Sequence, residues 1–329
     1  MNTFTAELNL SMKKTTFMIF FLAVTVAYAQ ETVVPLPFGD MNKWIKREVK
    51  ESFVIGGNTR ILYEIADSRE QVPPNTPFHN KISPWATSSV YAKVNGVTKG
   101  SVTVFPEKRD NGYAARLETR IESVRVLGII NINALASGTI FLGQVAEPIT
   151  DTKNPLSKIL IGIPFSGKPS FLQFDYKVIT GGPNRKVMGL SKEGTLTGTT
   201  SRAIAYIFLQ KRWEDKEGNI HARRIGTGWE IFDKSVTSWQ NNHRIPIHYG
   251  NISEKNFFTE KMGLKKGNEA YYTRNSKGKV VPITEDGWGS PNEEVTHLFI
   301  QFSSSDGGPF VGNTDSRFWV DNVALVYEK

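Results

Sequence analysis

Cysteine is absent from all 329 residues. That excludes disulfides, thiolate metal sites, a cysteine nucleophile and a cysteine-borne lipid anchor, so stability must come from a packed core. Long hydrophobic runs are almost absent too. Outside one N-terminal segment, no stretch approaches the roughly 20 apolar residues that a membrane-crossing helix needs. A Gly-x-Ser-x-Gly nucleophile elbow is missing. Gly226-Thr227-Gly228-Trp229 and Gly162-Ile163-Pro164 lack the lysine and the strand-loop-helix setting of a phosphate loop. The five histidines form no metal pattern, since His243 and His248 do not have the helical i, i+4 spacing of a zinc pair. A surplus of basic residues, 40 Lys and Arg against 32 Asp and Glu, gives a formal charge of +8. Its runs, Lys43-Trp44-Ile45-Lys46-Arg47 and Lys261 to Lys266, are interrupted by aromatics and flanked by acids. They read as solvated faces rather than a nucleic-acid stripe.

The one apolar segment has the tripartite form of an export signal. Lys13 and Lys14 precede the run Phe17 to Ala27, and Ala27-Tyr28-Ala29 supplies a small-x-small cleavage site before Gln30. Residues 1–29 are therefore expected to be a signal peptide, with Met12 as the true start because Met1 to Ser11 add nothing to the pattern. The expected location is periplasmic or extracellular, without a lipid anchor and without an integral membrane segment in the mature chain.

Beyond Val90, apolar residues fall in short alternating or β-branched runs bounded by Gly, Asn, Pro and Lys, the signature of a sandwich or barrel. Examples are Val102 to Phe105, Thr139 to Leu142, Phe171 to Tyr176, Ala203 to Leu209, His297 to Phe302 and Phe318 to Leu325. The near-continuous run Tyr206 to Leu209 predicts a central strand covered on both faces. Loops are marked at 73–77, 181–185, 194–201 and 303–309, none long enough for a domain linker. The expectation from the pattern is an all-β sandwich in one elaborated domain with minor helices. Residues 30–80 would lead into a sandwich spanning 81–329, with the polar stretch 254–292 as an inserted flap.

Four stretches together resemble the family of bacterial exported proteins called the putative carbohydrate metabolism domain. They are Pro37-Phe38-Gly39-Asp40-Met41-Asn42-Lys43-Trp44, then Ser83-Pro84-Trp85-Ala86-Thr87-Ser88-Ser89, then Tyr113 to Thr119 with Ala136 to Gly143, and finally Gly162-Ile163-Pro164-Phe165 leading into Leu172 to Lys177. The resemblance implies an all-β jelly-roll sandwich of the galactose-binding or lectin-like kind, an envelope location and a role in handling carbohydrate. Family members are often lipid-anchored, from which this chain departs by lacking cysteine.

Gly39 to Trp44 and Phe318 to Val323 look like the paired first and last strands of jelly-roll carbohydrate-binding modules, which commonly hold a structural calcium. Asp40 and Asp321 are its candidate ligands, against the alternative of capping and turn hydrogen bonds. Sugar recognition sets an aromatic face against a pyranose and meets its hydroxyls with planar polar groups. Trp85, Arg116, Asp175 and Trp288 are the candidate ligand-binding residues, with Trp213, Trp229 and Trp239 as further aromatics; Trp288, between two glycines, is expected in an exposed loop. A glycosidase would need two carboxyls about 5 to 5.5 Å apart for retention, or about 6.5 to 9.5 Å for inversion. Glu118 and Asp175 are the catalytic candidates, with Glu107, Glu122 and Glu230 behind them.

Three functions remain open at this point: a glycan-binding protein for polysaccharide or oligosaccharide, a glycoside hydrolase, and a structural or adhesion protein of the envelope. Fold alone does not choose among them. Neither ligand identity nor oligomeric state is legible.

Overall fold

The structure, a computed structural model, describes residues 30–126, 130–150 and 155–328. The segment read as an export signal, residues 1–29, lies outside the described residues. The main strands in chain order are β1 (Glu31–Pro35), β2 (Val104–Arg109), β3 (Gly112–Glu118), β4 (Thr139–Val145), β5 (Ile159–Ile161), β6 (Phe171–Ile179), β7 (Ala203–Glu214), β8 (Ile220–Phe232), β9 (Val236–Pro246), β10 (Tyr272–Arg274), β11 (Val280–Trp288), β12 (His297–Ser303) and β13 (Arg317–Glu328). The expected all-β sandwich is what the chain forms. Among the described residues the only helical pieces are short 3₁₀ turns, such as Phe53–Ile55 and Glu260–Met262. None is long and apolar enough to cross a membrane.

One layer is a six-stranded sheet in the order β9-β6-β13-β3-β2, with β1 pairing the far half of β13. Alternation along each strand decides which side is buried. Leu172, Phe174, Tyr176 and Val178 of β6, with Phe318 and Val320 of β13, face the second layer. There they meet Ala205, Ile207 and Leu209 of β7, Ile140 and Leu142 of β4, and Leu298, Ile300 and Phe302 of β12. Phe174 meets Phe302 edge to face at 4.8 Å, and burying each such side chain contributes about 1.5–3 kcal/mol.

The second layer curls into a barrel, the form that the strand pattern left open beside the expected sandwich. Its strands run β7-β8-β11-β10-β5-β4-β12, and β12 pairs with β7, closing the ring. The alternate residues of β7, Ile204, Tyr206 and Phe208, point into it beside Phe141, Ala222, Ile283 and Phe299. Both faces of β7 are therefore buried, as its unbroken apolar run predicts. Two of its pairings are parallel, β8 with β11 and β5 with β10. The expectation of a flap over 254–292 is corrected in its second part: Val281, Ile283 and Glu285 alternate inward and β10 and β11 are barrel wall, while 254–271 runs as loop and short 3₁₀ turns.

Candidate functional site on the outer sheet face

The alternation that buries Phe174 and Tyr176 turns Gln173, Asp175 and Lys177 outward. By the same rule β13 presents Trp319 and Asp321, β3 presents Arg116 and Glu118, and β2 presents Phe105, Glu107 and Arg109 on the outer face. Asp175 and Asp321 are direct cross-strand partners, an arrangement of like charges that is unfavourable by itself. Arg109 resolves it: its Nη1 lies 3.0 Å from Asp175 Oδ2 and 2.8 Å from Asp321 Oδ2.

Two β-bulges flank this triad, one in β13 and one in β9, and both contain an asparagine in the left-handed region, Asn322 at φ 50° and Asn242 at φ 55°. Asparagine tolerates that conformation better than most residues. Asp175 ties both bulges down. Its Oδ1 accepts from the backbone N–H of Asn242 at 2.7 Å, and its Oδ2 from Asn322 Nδ2 at 2.8 Å. Burial pushes Asp321 up to about 6, against the lowering effects of the Asn322 backbone N–H and Arg109, with Asp175 adding to the rise.

Above the carboxylates, the guanidinium carbon of Arg109 lies over the Trp239 ring, 3.9 Å from its centroid, and Nη2 donates to Asn241 Oδ1 at 2.8 Å. Lys177 sits 4.4 Å from the Trp319 ring and donates to Glu107 Oε1 at 3.0 Å, while Arg116 donates to Glu107 Oε2 at 3.0 Å. Burial alone would raise Glu107; Trp319, Lys177 and Arg116 outweigh it and hold the carboxylate below its usual range. Trp319 is itself buried beneath this row, so Trp239 is the ring left partly accessible; with the fixed cations and planar amides on neighbouring strands it supplies the group types that recognise a sugar.

This face gathers Arg116, Glu118, Asp175 and Asp321 from the sequence candidates, with Glu107 and Trp239 from the wider sets of acids and aromatics. Arg109, Lys177 and Trp319 complete it. Outward period-2 positions could have flagged Lys177 and Trp319, but the meeting of Arg109 with Trp239 depends on strand order. Other candidates lie elsewhere. Trp85 is a core residue, 1 % exposed, whose indole donates to the Pro37 carbonyl at 3.0 Å, which removes it from any surface platform. Trp288 is not in a loop; it ends β11, half-buried, 5.9 Å from the Arg224 guanidinium. The tryptophan most exposed is Trp213, at 40 %, stacked on His221 at 5.6 Å.

The calcium expectation is corrected as well. The chain ends do pair, with Leu36 N–H donating to the Val323 carbonyl at 3.0 Å. Their carboxylates go separate ways, however. Asp40 is exposed and accepts from Asn42 at 3.2 Å, whereas Asp321 is buried with an arginine already against it. Among the described residues no group of three or more His, Asp or Glu side chains converges to hold a metal.

Nor do the catalytic candidates pair. Glu118 lies opposite Arg317 while Asp175 lies opposite Asp321 on the same β13. Four residues at about 3.3 Å and two strand spacings of about 4.8 Å set their backbones roughly 16 Å apart, beyond either glycosidase geometry. Glu118 is instead surrounded by Arg116, Arg120 and Arg317 at 3.1, 3.4 and 3.4 Å.

A second carboxylate pair, Glu64 and Glu147, shares Arg47 beside Trp85. The cavity there is about 20 Å³, room for about one water and not for a sugar ring. One guanidinium cannot neutralise two buried carboxylates; burial first, with Glu147 adding to it, pushes Glu64 from 4.5 up to about 7 despite Arg47. A raised carboxyl contributes stability that is complete below its unfolded value and is lost as pH rises through the folded one. Unfolding free energy of the wild type should therefore fall relative to Glu64→Gln between pH 4.5 and about 7. Denaturation at several pH values checks this, and parallel profiles would contradict it.

A model of the putative carbohydrate metabolism domain matches residues 59–326. No curated protein matches the chain. Among solved structures the chain is similar to one described as a putative glycoside hydrolase from Bacteroides thetaiotaomicron, at 18 % identity and a TM-score of 0.49, over 91 % of this chain and 71 % of that one. It is also similar to one described in the same words from Bacteroides vulgatus, at 14 % identity and a TM-score of 0.41, over 92 % of this chain and 97 % of that one.

Proposed function

The chain belongs to the putative carbohydrate metabolism domain family, and on that premise we propose that it is a non-catalytic glycan-binding protein whose binding face is the outer side of the six-stranded sheet. The observation that carries this reading is the Arg109–Trp239 stack, locked from below by Asp175 and Asp321. A rigid ring beside a cation with fixed hydrogen-bond directions suits a pyranose and its hydroxyls. Asn241 and Gln173 extend the polar row along β9 and β6, where Arg244 Nε donates to Gln173 Oε1 at 2.9 Å. A polysaccharide or oligosaccharide chain is the ligand class proposed.

Hydrolysis by the same face is the second reading, because Asp175 and Asp321 are close and Asp321 is shifted to about 6. Binding is favoured over it. Each Asp175 oxygen already accepts from the protein, as do both oxygens of Asp321, leaving neither acid free to protonate a glycosidic oxygen. A glycan array run beside a reducing-sugar release assay separates the two: we expect binding without release. Release abolished by Asp321→Asn would transfer the function to hydrolysis, and silence in both assays would favour a structural role.

Export to the periplasm or cell exterior is part of the same proposal, supported by the Lys13 to Ala29 pattern. N-terminal sequencing of the protein from its native host tests it, with Gln30 as the expected first residue.

A further inference from the structure

We propose that the cavity between β8 and the segment 251–262 is a second binding site, one that takes a single neutral pyranose residue. It shares no residue with the outer sheet face and does not rest on that reading. Where β8 runs past the end of its pairing with β11, the short strand His248–Tyr249 takes over as its partner. Ile252, Phe257 and Met262 fold across, bounding with Thr227, Trp229, Pro246 and His248 a cavity of about 130 Å³ that stays partly open to solvent. That is just under the roughly 150 Å³ that holds a benzene ring, so one edge of a six-membered ring can enter while its remaining hydroxyls stay outside.

Its walls specify more than size. Trp229 is fixed by Tyr206, which stacks on it at 4.6 Å, and Phe257 is fixed by His248, stacked at 4.2 Å. Aromatic and apolar side chains thus supply most of the lining. Two polar atoms break that surface. Thr227 is 1 % exposed and its Oγ1 has no hydrogen-bond partner; Trp229 Nε1 is buried and has none either. Buried polar groups are seldom left unmatched, and doing so is costly. Both would be satisfied by ligand oxygens. Burial first, then Lys255, lowers His248 below its ordinary value, so it stands neutral and equally able to donate or accept. No charged side chain lines the cavity. A purely apolar guest would leave both donors unmade, and an anion or cation would find no counter-charge. An uncharged ring bearing hydroxyl and ring oxygens meets every requirement.

The test follows the indole N–H signals of the seven tryptophans by two-dimensional NMR, assigning Trp229 by its loss in Trp229→Phe. D-glucose, D-galactose and N-acetyl-D-glucosamine are titrated separately, with benzene as the apolar comparator. At least one sugar should shift the Trp229 signal with millimolar affinity. Thr227→Val and Trp229→Phe, which keep the cavity's shape, should each weaken that affinity by about fivefold, the effect of one hydrogen bond; the Trp229→Phe affinity is read from the sugar's own saturation-transfer signal. Trp239→Ala should leave it unchanged, which separates this site from the sheet face. The proposal is overturned if no sugar moves Trp229 at tens of millimolar, if benzene alone does, or if both variants bind as tightly as wild type.

Discussion

Glu285→Ala should lower the unfolding free energy by about 3–5 kcal/mol, the range for breaking a buried ion pair from one side. Glu285 is the carboxylate at one end of the barrel, buried with two arginines. Arg224 Nε donates to its Oε1 at 2.6 Å, and the backbone N–H of Lys265 donates to its Oε2 at 2.7 Å. Arg212 stands one step back, donating to Gln210 Oε1 at 2.7 Å and to the Ile161 carbonyl at 3.0 Å. Burial, with a contribution from Arg224, already drives Arg212 from 12.5 down to about 9. Deleting the carboxylate leaves two desolvated guanidinium groups with nothing of opposite sign among the hydrogen-bond partners recorded for them, and the barrel cannot relax around them because Arg224 is pressed 3.5 Å from the Phe208 ring. Urea denaturation measures the loss; a change under about 1 kcal/mol would be that of an ordinary surface substitution and would contradict this view of the barrel.

Asp175→Ala should cost at least tenfold in glycan affinity together with about 2–4 kcal/mol of stability, since two donors, the Asn242 N–H and Asn322 Nδ2, lose their acceptor and each unmet group costs about 1–3 kcal/mol. Both donors belong to bulges, so their release lets β9 and β13 shift beside β6. Arg109 then keeps Asp321 as its one buried carboxylate, beside the Asn241 amide, and should no longer be held over Trp239. Asp175→Asn, which preserves part of the hydrogen bonding, should fall between. Thermal melts and array binding report the two effects separately. An unchanged binding profile in Asp175→Ala would show that the sheet face is not the binding surface.

Much of this face was legible because a β-strand has a period of two. Once Phe174 and Tyr176 are assigned inward, Asp175 must point out, and the same rule places Arg116 with Glu118 and Trp319 with Asp321. Spacing along the chain could not reveal the partner that organises them. Arg109 and Trp239 meet because β2 and β9 lie on opposite edges of one sheet and their side chains reach across it, and the register there is set by bulges at Asn242 and Asn322. Trp85 and Trp288 misled for a related reason. A tryptophan beside Pro or Gly reads as a surface residue, yet the strand Trp85–Thr87 is buried throughout, and Trp288 is carried to the barrel end by the parallel pairing of β11 with β8. Parallel pairing also hid the closure of the barrel, because it joins segments about 60 residues apart for β8 with β11 and about 110 apart for β5 with β10, with no hairpin turn to announce it.

The most direct test of the account titrates the best-binding glycan from the array into wild type, Trp239→Ala and Arg109→Ala by calorimetry. Binding in the wild type with at least a tenfold loss in both variants, while their melting temperatures stay close to that of the wild type for Trp239→Ala, is the predicted result. Equal affinity in all three proteins would contradict a glycan-binding role for the outer face of the sheet.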